Sequence, residues 1–387
     1  MTITQNCTPT TFQPRVRRID EAKRASAVEA LARTLEARTP LTPEFYTDEG
    51  IFDLEMELIF HREWHYVGHI DRIPNTGDYF TTRVGRIPVL IVRGRDGKIN
   101  AFVNVCRHRG HEVAQGEGNE RTLQCHFHAW TWTLDGELRG APRYDPEANF
   151  DKANFPLFRG TVETFGPFIF VNFGQDPEPF TSSPAFSEID EKSKSFNHDF
   201  GAFELKNRWQ HEIKANWKLI LDISVECYHC ASVHPEFASS YETGENYRVD
   251  LFQDWQLHIS PPKGQLDDMV NANFIYHIWP HTQFFIQGPI MNVVRNIPVS
   301  TTTTLKEIQS FALPGTSDEV LAAREKSMDL ALTQDYDAGE SVQSTMPAGY
   351  FGGAPLLKDK EAGLIWAQEC MYRAFSGKPW HGTASTP

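Results

Sequence analysis

Cys106-Arg-His108, followed after sixteen residues by Cys125-His-Phe-His128, is the stretch on which the reading of this 387-residue chain turns. Two Cys-plus-His pairs at such short spacing can close on one metal centre. Cys-x-His with Cys-x-x-His is what a Rieske-type [2Fe-2S] cluster needs. Two thiolates hold one iron, two imidazoles hold the other, and the neutral imidazoles raise the reduction potential above that of an all-cysteine cluster. Structural zinc competes for a Cys2His2 set, and so does the plain alternative of four unpaired core residues. A zinc finger follows its second cysteine with about twelve residues and a pair of histidines, a pattern this chain lacks. The spacing favours the cluster.

Around this motif, from Trp64 to about Val171, runs such as Asp78-Tyr-Phe-Thr-Thr, Pro88-Val-Leu-Ile-Val and Ala101-Phe-Val-Asn-Val predict short strands. Gly85, Asp96-Gly97 and Asp135-Gly136 punctuate them as turns. The expectation is a small antiparallel domain over 64–180, closed by Phe168-Ile-Phe-Val-Asn, with both ligand pairs on loops between strands. Before it, residues 1–63 read as a helical segment. Val28, Leu31 and Leu35 give one amphipathic helix within 12–38, stopped by Pro40 and Pro43, and Phe52, Met56, Ile59 and Phe60 give a second.

The larger unit, 181–387, mixes strands and helices. A strand is predicted over 203–211, then a helix from Asn216 to Ala231 with Trp217, Ile220, Leu221 and Val225 as its apolar stripe. Strands are expected within 271–279, 282–287, 294–298 and 304–313, and helices over 317–340 and 361–375. The fold class is therefore α+β.

Composition narrows the function. A net charge of -14 argues against nucleic acid, which requires a basic face, and is compatible with a cationic substrate or a basic partner. No run of eighteen apolar residues suggests a membrane span, and Met1 to Thr11 has no signal-peptide pattern. Six cysteines in a chain this long are no disulfide framework, so a reducing cytoplasm is the expected location. Cys227-Tyr-His-Cys230 has redox CxxC spacing, but no strand precedes it as in a thioredoxin-like unit.

A second metal site is written in Glu226-Cys-Tyr-His229-Cys-Ala-Ser-Val-His234-Pro235. Pro235 disfavours helical geometry at His234, which lets both imidazoles turn to one point. Two histidines and a carboxylate make the facial triad of a non-haem ferrous oxygenase, with coordination positions left open for dioxygen. The carboxylate must come from elsewhere, and Thr333-Gln-Asp335-Tyr-Asp337-Ala-Gly-Glu340 is the best supply. The bland alternative is two satisfied histidines. It loses ground beside a cluster motif, because oxygen activation at a lone iron needs a nearby electron donor. Glu226, three before His229, is placed to orient that histidine through its second ring nitrogen, or to bond a cluster-ligand imidazole arriving from outside.

Over nearly its full length the chain resembles the terminal oxygenase α-subunits of the Rieske non-haem iron oxygenases. Asn104-Val-Cys-Arg-His-Arg-Gly with Cys125-His-Phe-His-Ala-Trp130 carries the first half of the likeness. Asn216-Trp-Lys, Glu226-Cys-Tyr-His and His234-Pro carry the second. The resemblance implies Cys106 and Cys125 on an inner iron and His108 and His128 on an exposed one. His229, His234 and an aspartate would hold one mononuclear Fe(II) in a helix-grip catalytic domain. By motif position that aspartate is Asp335, with Asp337 the alternative. The resemblance further implies a homotrimer in which Glu226 links the cluster of one subunit to the iron of the next. It also implies an NAD(P)H-dependent reductase, with or without a ferredoxin, as electron donor. Glutamate at position 226 resembles the α-only group that includes oxygenases of carnitine and betaines.

Four positions depart from the family pattern: His126 and Ala129 stand where proline and glycine are frequent, Gln334 replaces a frequent glutamate, and Ile223 a frequent asparagine. None removes a ligand. For substrate, Trp255, Phe274, Tyr276, Trp279, Phe284, Phe285 and Met291 are the expected cavity aromatics and apolars, suited to an aromatic ring or to caging a quaternary ammonium. Aromatic hydroxylation ranks first and oxidation or N-demethylation of a quaternary amine second. A Rieske electron carrier is the non-enzyme rival, which would leave the second domain unexplained.

Overall fold

The computed structural model describes residues 19–143, 150–180 and 183–380. Cys7, the start of the first predicted helix and Ser182 lie outside them. The chain is α+β, as expected.

Helix α1 (Glu21–Ala37) starts where the Asp20 side chain accepts from Lys23 N. It buries Ala27, Leu31 and Leu35, and packs on the last helix of the chain. After a single turn, α2 (Glu44–Thr47), α3 (Glu49–Glu55) runs into a π-helical turn over Met56–Phe60. Phe52, Ile59 and Phe60 there share one core with Val89 and Ile91 of the first sheet and Val294 and Ile308 of the second. The N-terminal helices thus wedge between the two sheets.

The first sheet begins with β1 (His65–His69), β2 (Asp78–Val84), β3 (Ile87–Arg93), β4 (Ile99–Val103) and β5 (Glu117–Asn119). A small sheet of β6 (Leu123–Gln124), β7 (Thr131–Trp132) and β8 (Leu138–Gly140) caps it. Strands β9 (Arg159–Phe165) and β10 (Phe168–Asn172) then complete the order β1-β10-β9-β4-β3-β2-β5.

After α4 (Pro184–Ser195), β11 (Glu204–Ile213) enters the second sheet. Helix α5 (Trp217–Ser224) follows, then two short turns, α6 (Cys230–Val233) and α7 (Pro235–Ser240). Six antiparallel strands come next: β12 (Arg248–Leu251), β13 (Trp255–Ser260), β14 (Asn273–Ile278), β15 (Thr282–Gln287), β16 (Ile290–Ser300) and β17 (Thr303–Ala312). The order β11-β17-β16-β15-β14-β13-β12 brings the first strand back beside the last. Helix α8 (Asp318–Thr345) crosses over this sheet and α9 (Ala362–Ser376) ends the described chain.

The long helix expected from Asn216 to Ala231 is broken, and the break makes the site. Helix α5 stops at Ser224, and the Glu226 carboxylate accepts the backbone N–H groups of Tyr228 and His229. A side chain that satisfies two donors locally competes with continued helix. Glu226 therefore does not share a helical face with His229, as the spacing suggested. Within this turn Cys227 and Cys230, Cα–Cα 4.9 Å apart, are joined as a disulfide, a local pairing the sequence reading did not assign.

Asn216-Trp-Lys218 anchors the start of α5. Asn216 Oδ1 accepts Lys218 N at 3.0 Å, while its Nδ2 donates to Tyr46 O and Thr301 O. Lys218 Nζ meets Glu55 Oε1 at 2.6 Å with both side chains buried, and Trp217 Nε1 donates to the other Glu55 oxygen. A buried pair of this kind holds only when its remaining polar atoms are also bonded, and here it ties α5 to α3. Gly339 lets α8 close on α5: a Cβ there would lie 2.9 Å from Ile220 Cδ1.

Candidate metal centres and the adjoining cavity

Each cluster loop is closed by its own backbone. Cys106 N donates to His111 O at 2.7 Å, and Gly110 N to Cys106 O; Cys125 N donates to Trp130 O and Ala129 N to Cys125 O. The buried Asn104 amide fastens the first loop, accepting Val113 N and Ala114 N and donating to Ala114 O. Cys106 and Cys125 are buried with unbridged thiols, whereas His108 and His128 are exposed. The two imidazoles meet edge to face, with ring centroids 4.6 Å apart and planes at 76°. Trp130 stacks on His108 at 5.0 Å and, with Trp132, packs in the same core as both cysteines. Arg107 is held by Pro156 O and the Phe158 ring, while Arg109 lies over the exposed Phe127.

Ala129 has φ +56°, the left-handed region that costs an L-residue roughly 1 kcal/mol. Ala129→Gly is therefore expected to raise stability by about 0.5–1 kcal/mol. A thermal melt of the cluster-loaded protein checks this. A lower Tm would contradict it.

At the second site the broken helix delivers its histidines to α8. His229 Nε2 lies 3.2 Å from His234 Nε2, His234 Nε2 lies 2.9 Å from Asp335 Oδ1, and His229 Nε2 lies 3.4 Å from the same oxygen. Ligands at roughly 2.1 Å from one ion, at angles between octahedral and tetrahedral, are spaced about 3.0–3.4 Å apart. The three donors fit a single metal ion, and a 2-His-1-carboxylate set with open positions is the donor set of non-haem Fe(II). Asp337 is exposed and outside this group.

Both histidines have their second nitrogen fixed. His229 Nδ1 is 2.5 Å from Glu226 Oε1, and His234 Nδ1 is 2.8 Å from Gln334 Oε1. Each acceptor calls for an N–H on Nδ1, which leaves the Nε2 lone pair facing the shared point. Gln334 thus does with an amide what the frequent glutamate would do with a carboxylate.

Burial opposes a charged His229 imidazole, but the Asp335 and Glu226 carboxylates outweigh it and raise its pKa to about 9. His234 is raised too, by Asp335 against burial. Asp335 is lowered: burial pushes up, and the two imidazoles more than offset it. In metal-free protein below that pH, a metal must displace a proton from His229. Affinity for Fe(II), or for Co(II) as a stand-in, should therefore rise at least about tenfold per pH unit between pH 6 and 8. Calorimetric titration at several pH values measures it, and a flat profile would contradict it.

Beside the three donors opens a cavity of about 300 Å³. Of the seven residues expected to line it, only Phe285 does. Trp255, Phe274, Tyr276, Phe284 and Met291 point to the opposite side of the sheet, in a core shared with Phe186 and Ile189 of α4, and Trp279 sits in the main core. Side chains alternate along a strand, and the sequence does not say which alternate faces the iron. Asn273 and Ile275 face the cavity from β14, Phe285 and Gln287 from β15, Ile290 and Asn292 from β16. Tyr247, Phe237 and Tyr241 close it opposite a stripe of α8 running from Arg324 to Asp335.

Comparison with known proteins agrees with this architecture. Residues 63–163 match the Rieske [2Fe-2S] domain, and residues 200–375 the ring hydroxylating alpha subunit catalytic domain. The carnitine monooxygenase oxygenase subunit of Acinetobacter pittii is 32% identical over 334 residues, covering 82% of this chain and 88% of the relative. The glycine betaine monooxygenase oxygenase subunit of Pseudomonas aeruginosa is 35% identical over 224 residues, 56% of this chain and 49% of the relative. A crystal structure of a quaternary ammonium Rieske monooxygenase with L-carnitine superposes with a TM-score of 0.78 at 28% identity, covering 89% of this chain and 97% of that one. The chain is an oxygenase that carries a [2Fe-2S] cluster and a mononuclear iron, and it belongs to the Rieske non-haem iron oxygenases as a terminal oxygenase α-subunit.

Proposed function

We propose that this protein is the oxygenase subunit of a monooxygenase that hydroxylates a C–H bond next to the nitrogen of a small quaternary ammonium compound. The observation that carries the reading is the likeness, over four-fifths of the chain, to a carnitine monooxygenase subunit, joined to a cavity walled by Tyr241, Tyr247, Phe237 and Phe285. Aromatic faces attract a cation that cannot donate a hydrogen bond. Ring hydroxylation, ranked first from the sequence, has less support: most of its expected aromatics are core, and the relatives named above act on quaternary amines.

When bound, the two metal groups supply one-electron storage and dioxygen activation. The protein's own residues do the rest. Cys106 and Cys125 hold the buried end of the cluster, and His108 and His128 present the other end at the surface. His229, His234 and Asp335 fill one face of the mononuclear site and leave the cavity side open. Glu226 and Gln334 keep the two imidazoles in the metal-binding tautomer. Inter-subunit electron transfer in a quaternary ammonium Rieske monooxygenase of 27% identity supports a homotrimer in which one subunit's cluster serves its neighbour's iron through Glu226, with a reductase or ferredoxin as donor.

Hydroxylation beside the nitrogen gives a carbinolamine that collapses to an aldehyde and a tertiary amine. Holoenzyme with a suitable reductase, NAD(P)H and L-carnitine, γ-butyrobetaine or glycine betaine should consume oxygen and release tertiary amine in equal amounts. Oxygen uptake supported only by aromatic substrates would overturn the reading.

A further inference from the structure

Arg324 stands on α8 eleven residues before Asp335, about 16 Å along the helix axis, and both line the cavity. The sheet gives a second ruler. Gln283 Nε2 donates to Ser224 Oγ, at the end of the helix that leads into the iron loop. Four residues on, about 14 Å along the strand, Gln287 Oε1 accepts from Arg324 Nη1 at 2.6 Å. Both place the guanidinium at the end of the cavity away from the metal ligands.

Arg324 is half-buried and, among the described residues, forms no ion pair. Its bond to Gln287 uses a single N–H of the five that a guanidinium carries. Nearby on the sheet, Asn273 pairs across strands with Gln287, and Asn292 with Phe285. Asn292 is 6% exposed and lines the cavity, and its Oδ1 has no partner. A buried amide left unpaired is costly unless something else meets it, and a half-turn of that amide offers its N–H pair instead. The cavity thus has the metal ligands at one end and, at the other, a cation with no ion pair, held by the Gln287 amide.

We propose that Arg324, steadied by Gln287 and assisted by Asn292, binds a carboxylate on the substrate and so fixes which end of the molecule faces His229, His234 and Asp335. This rests on the quaternary ammonium reading and narrows it to compact zwitterions, with the cationic end at the iron and the anionic end at Arg324. A planar guanidinium fork matches a carboxylate with two parallel hydrogen bonds, which lysine's point charge does not.

The test compares L-carnitine, γ-butyrobetaine and glycine betaine with their methyl esters. Equilibrium binding to iron-loaded wild type, Arg324→Gln and Arg324→Lys is measured by calorimetry, alongside KM and kcat. Wild type should bind the acids on the order of 30-fold more tightly than the esters. Arg324→Gln should lose that preference through weaker acid binding and a higher KM for the acids, with ester binding unchanged, and Arg324→Lys should recover part of it. Unchanged acid binding in Arg324→Gln overturns the proposal, as does an equal loss for acids and esters. Should wild type bind none of the quaternary amines, the functional reading fails by itself. The anchor is then judged on 4-methylbenzoate against its methyl ester: discrimination that disappears in Arg324→Gln upholds it, and absence of discrimination, or no binding of either, overturns it.

Discussion

His229→Ala is expected to strip the mononuclear iron while leaving the cluster in place, so that iron content falls from about three to about two per chain. Substrate-dependent oxygen uptake should drop on the order of 10³-fold or more, to the background of the assay. The physical reason is that His229 is tied to the other two donors and to nothing else that could replace it. Its Nε2 is 3.2 Å from His234 and 3.4 Å from Asp335, and its Nδ1 is committed to Glu226. Two remaining donors, one of them a carboxylate also drawn to His234, make a poor chelate. The cluster loops are fastened separately by Asn104 and their own backbone, so the visible absorption and reducibility of the cluster should be unaffected. Loss of both metal groups together would mean that the variant disrupts folding rather than one site.

Glu226→Gln should behave in the opposite way. The amide keeps an oxygen to accept from His229 Nδ1, so iron content is expected to stay near wild type. The carboxylate's charge is lost, and with it the group proposed to bridge to a neighbouring subunit's cluster histidine. Steady-state turnover should fall on the order of 10²-fold, with substrate binding unchanged. The informative readout is a reduced-cluster experiment: the variant's cluster should still accept electrons from the reductase but should reoxidise slowly when oxygen and substrate are added. Wild-type rates of cluster reoxidation would remove Glu226 from the electron path and leave it as a prop for His229.

Ligand chemistry was legible in the sequence because metal donors are few and their spacing is constrained. Cys106 and His108 fall on a loop of the first sheet, Cys125 and His128 on a loop of the small sheet, and His229 and His234 are brought to Asp335, as the motifs suggested. Pro235 correctly signalled a backbone change at His234, whose φ and ψ are -118° and 67°. The end of helix α5 was missed because Val225, Cys227 and Ala231 keep an apolar pattern through the break. What stops the helix is one carboxylate turning back on the backbone, a contact with no signature in periodicity.

The cavity was read less well, for a reason built into sheets. A strand such as Asn273-Phe-Ile-Tyr-His-Ile278 alternates between two faces, and in this fold both are buried. Bulky Phe274 and Tyr276 fill the core beneath α4, while Asn273 and Ile275 face the site. Arg324 was invisible for a related cause. Only the three-dimensional stripe on α8, ending at Asp335, shows that this cation looks into the cavity and not out to solvent. A helical wheel drawn back from Asp335 would have found it.

Single-turnover chemistry reads both metal sites in one experiment. Holoenzyme is reduced under anaerobic conditions, freed of reductant and mixed with oxygen, with and without L-carnitine, γ-butyrobetaine or glycine betaine. Cluster oxidation and tertiary amine are measured together. With one of these substrates present, rapid cluster oxidation should accompany about one amine per active iron, and without substrate the cluster should stay reduced over the same interval. Cluster oxidation at the same rate with no substrate, and no amine formed with any of them, would contradict the coupling of the two metal sites.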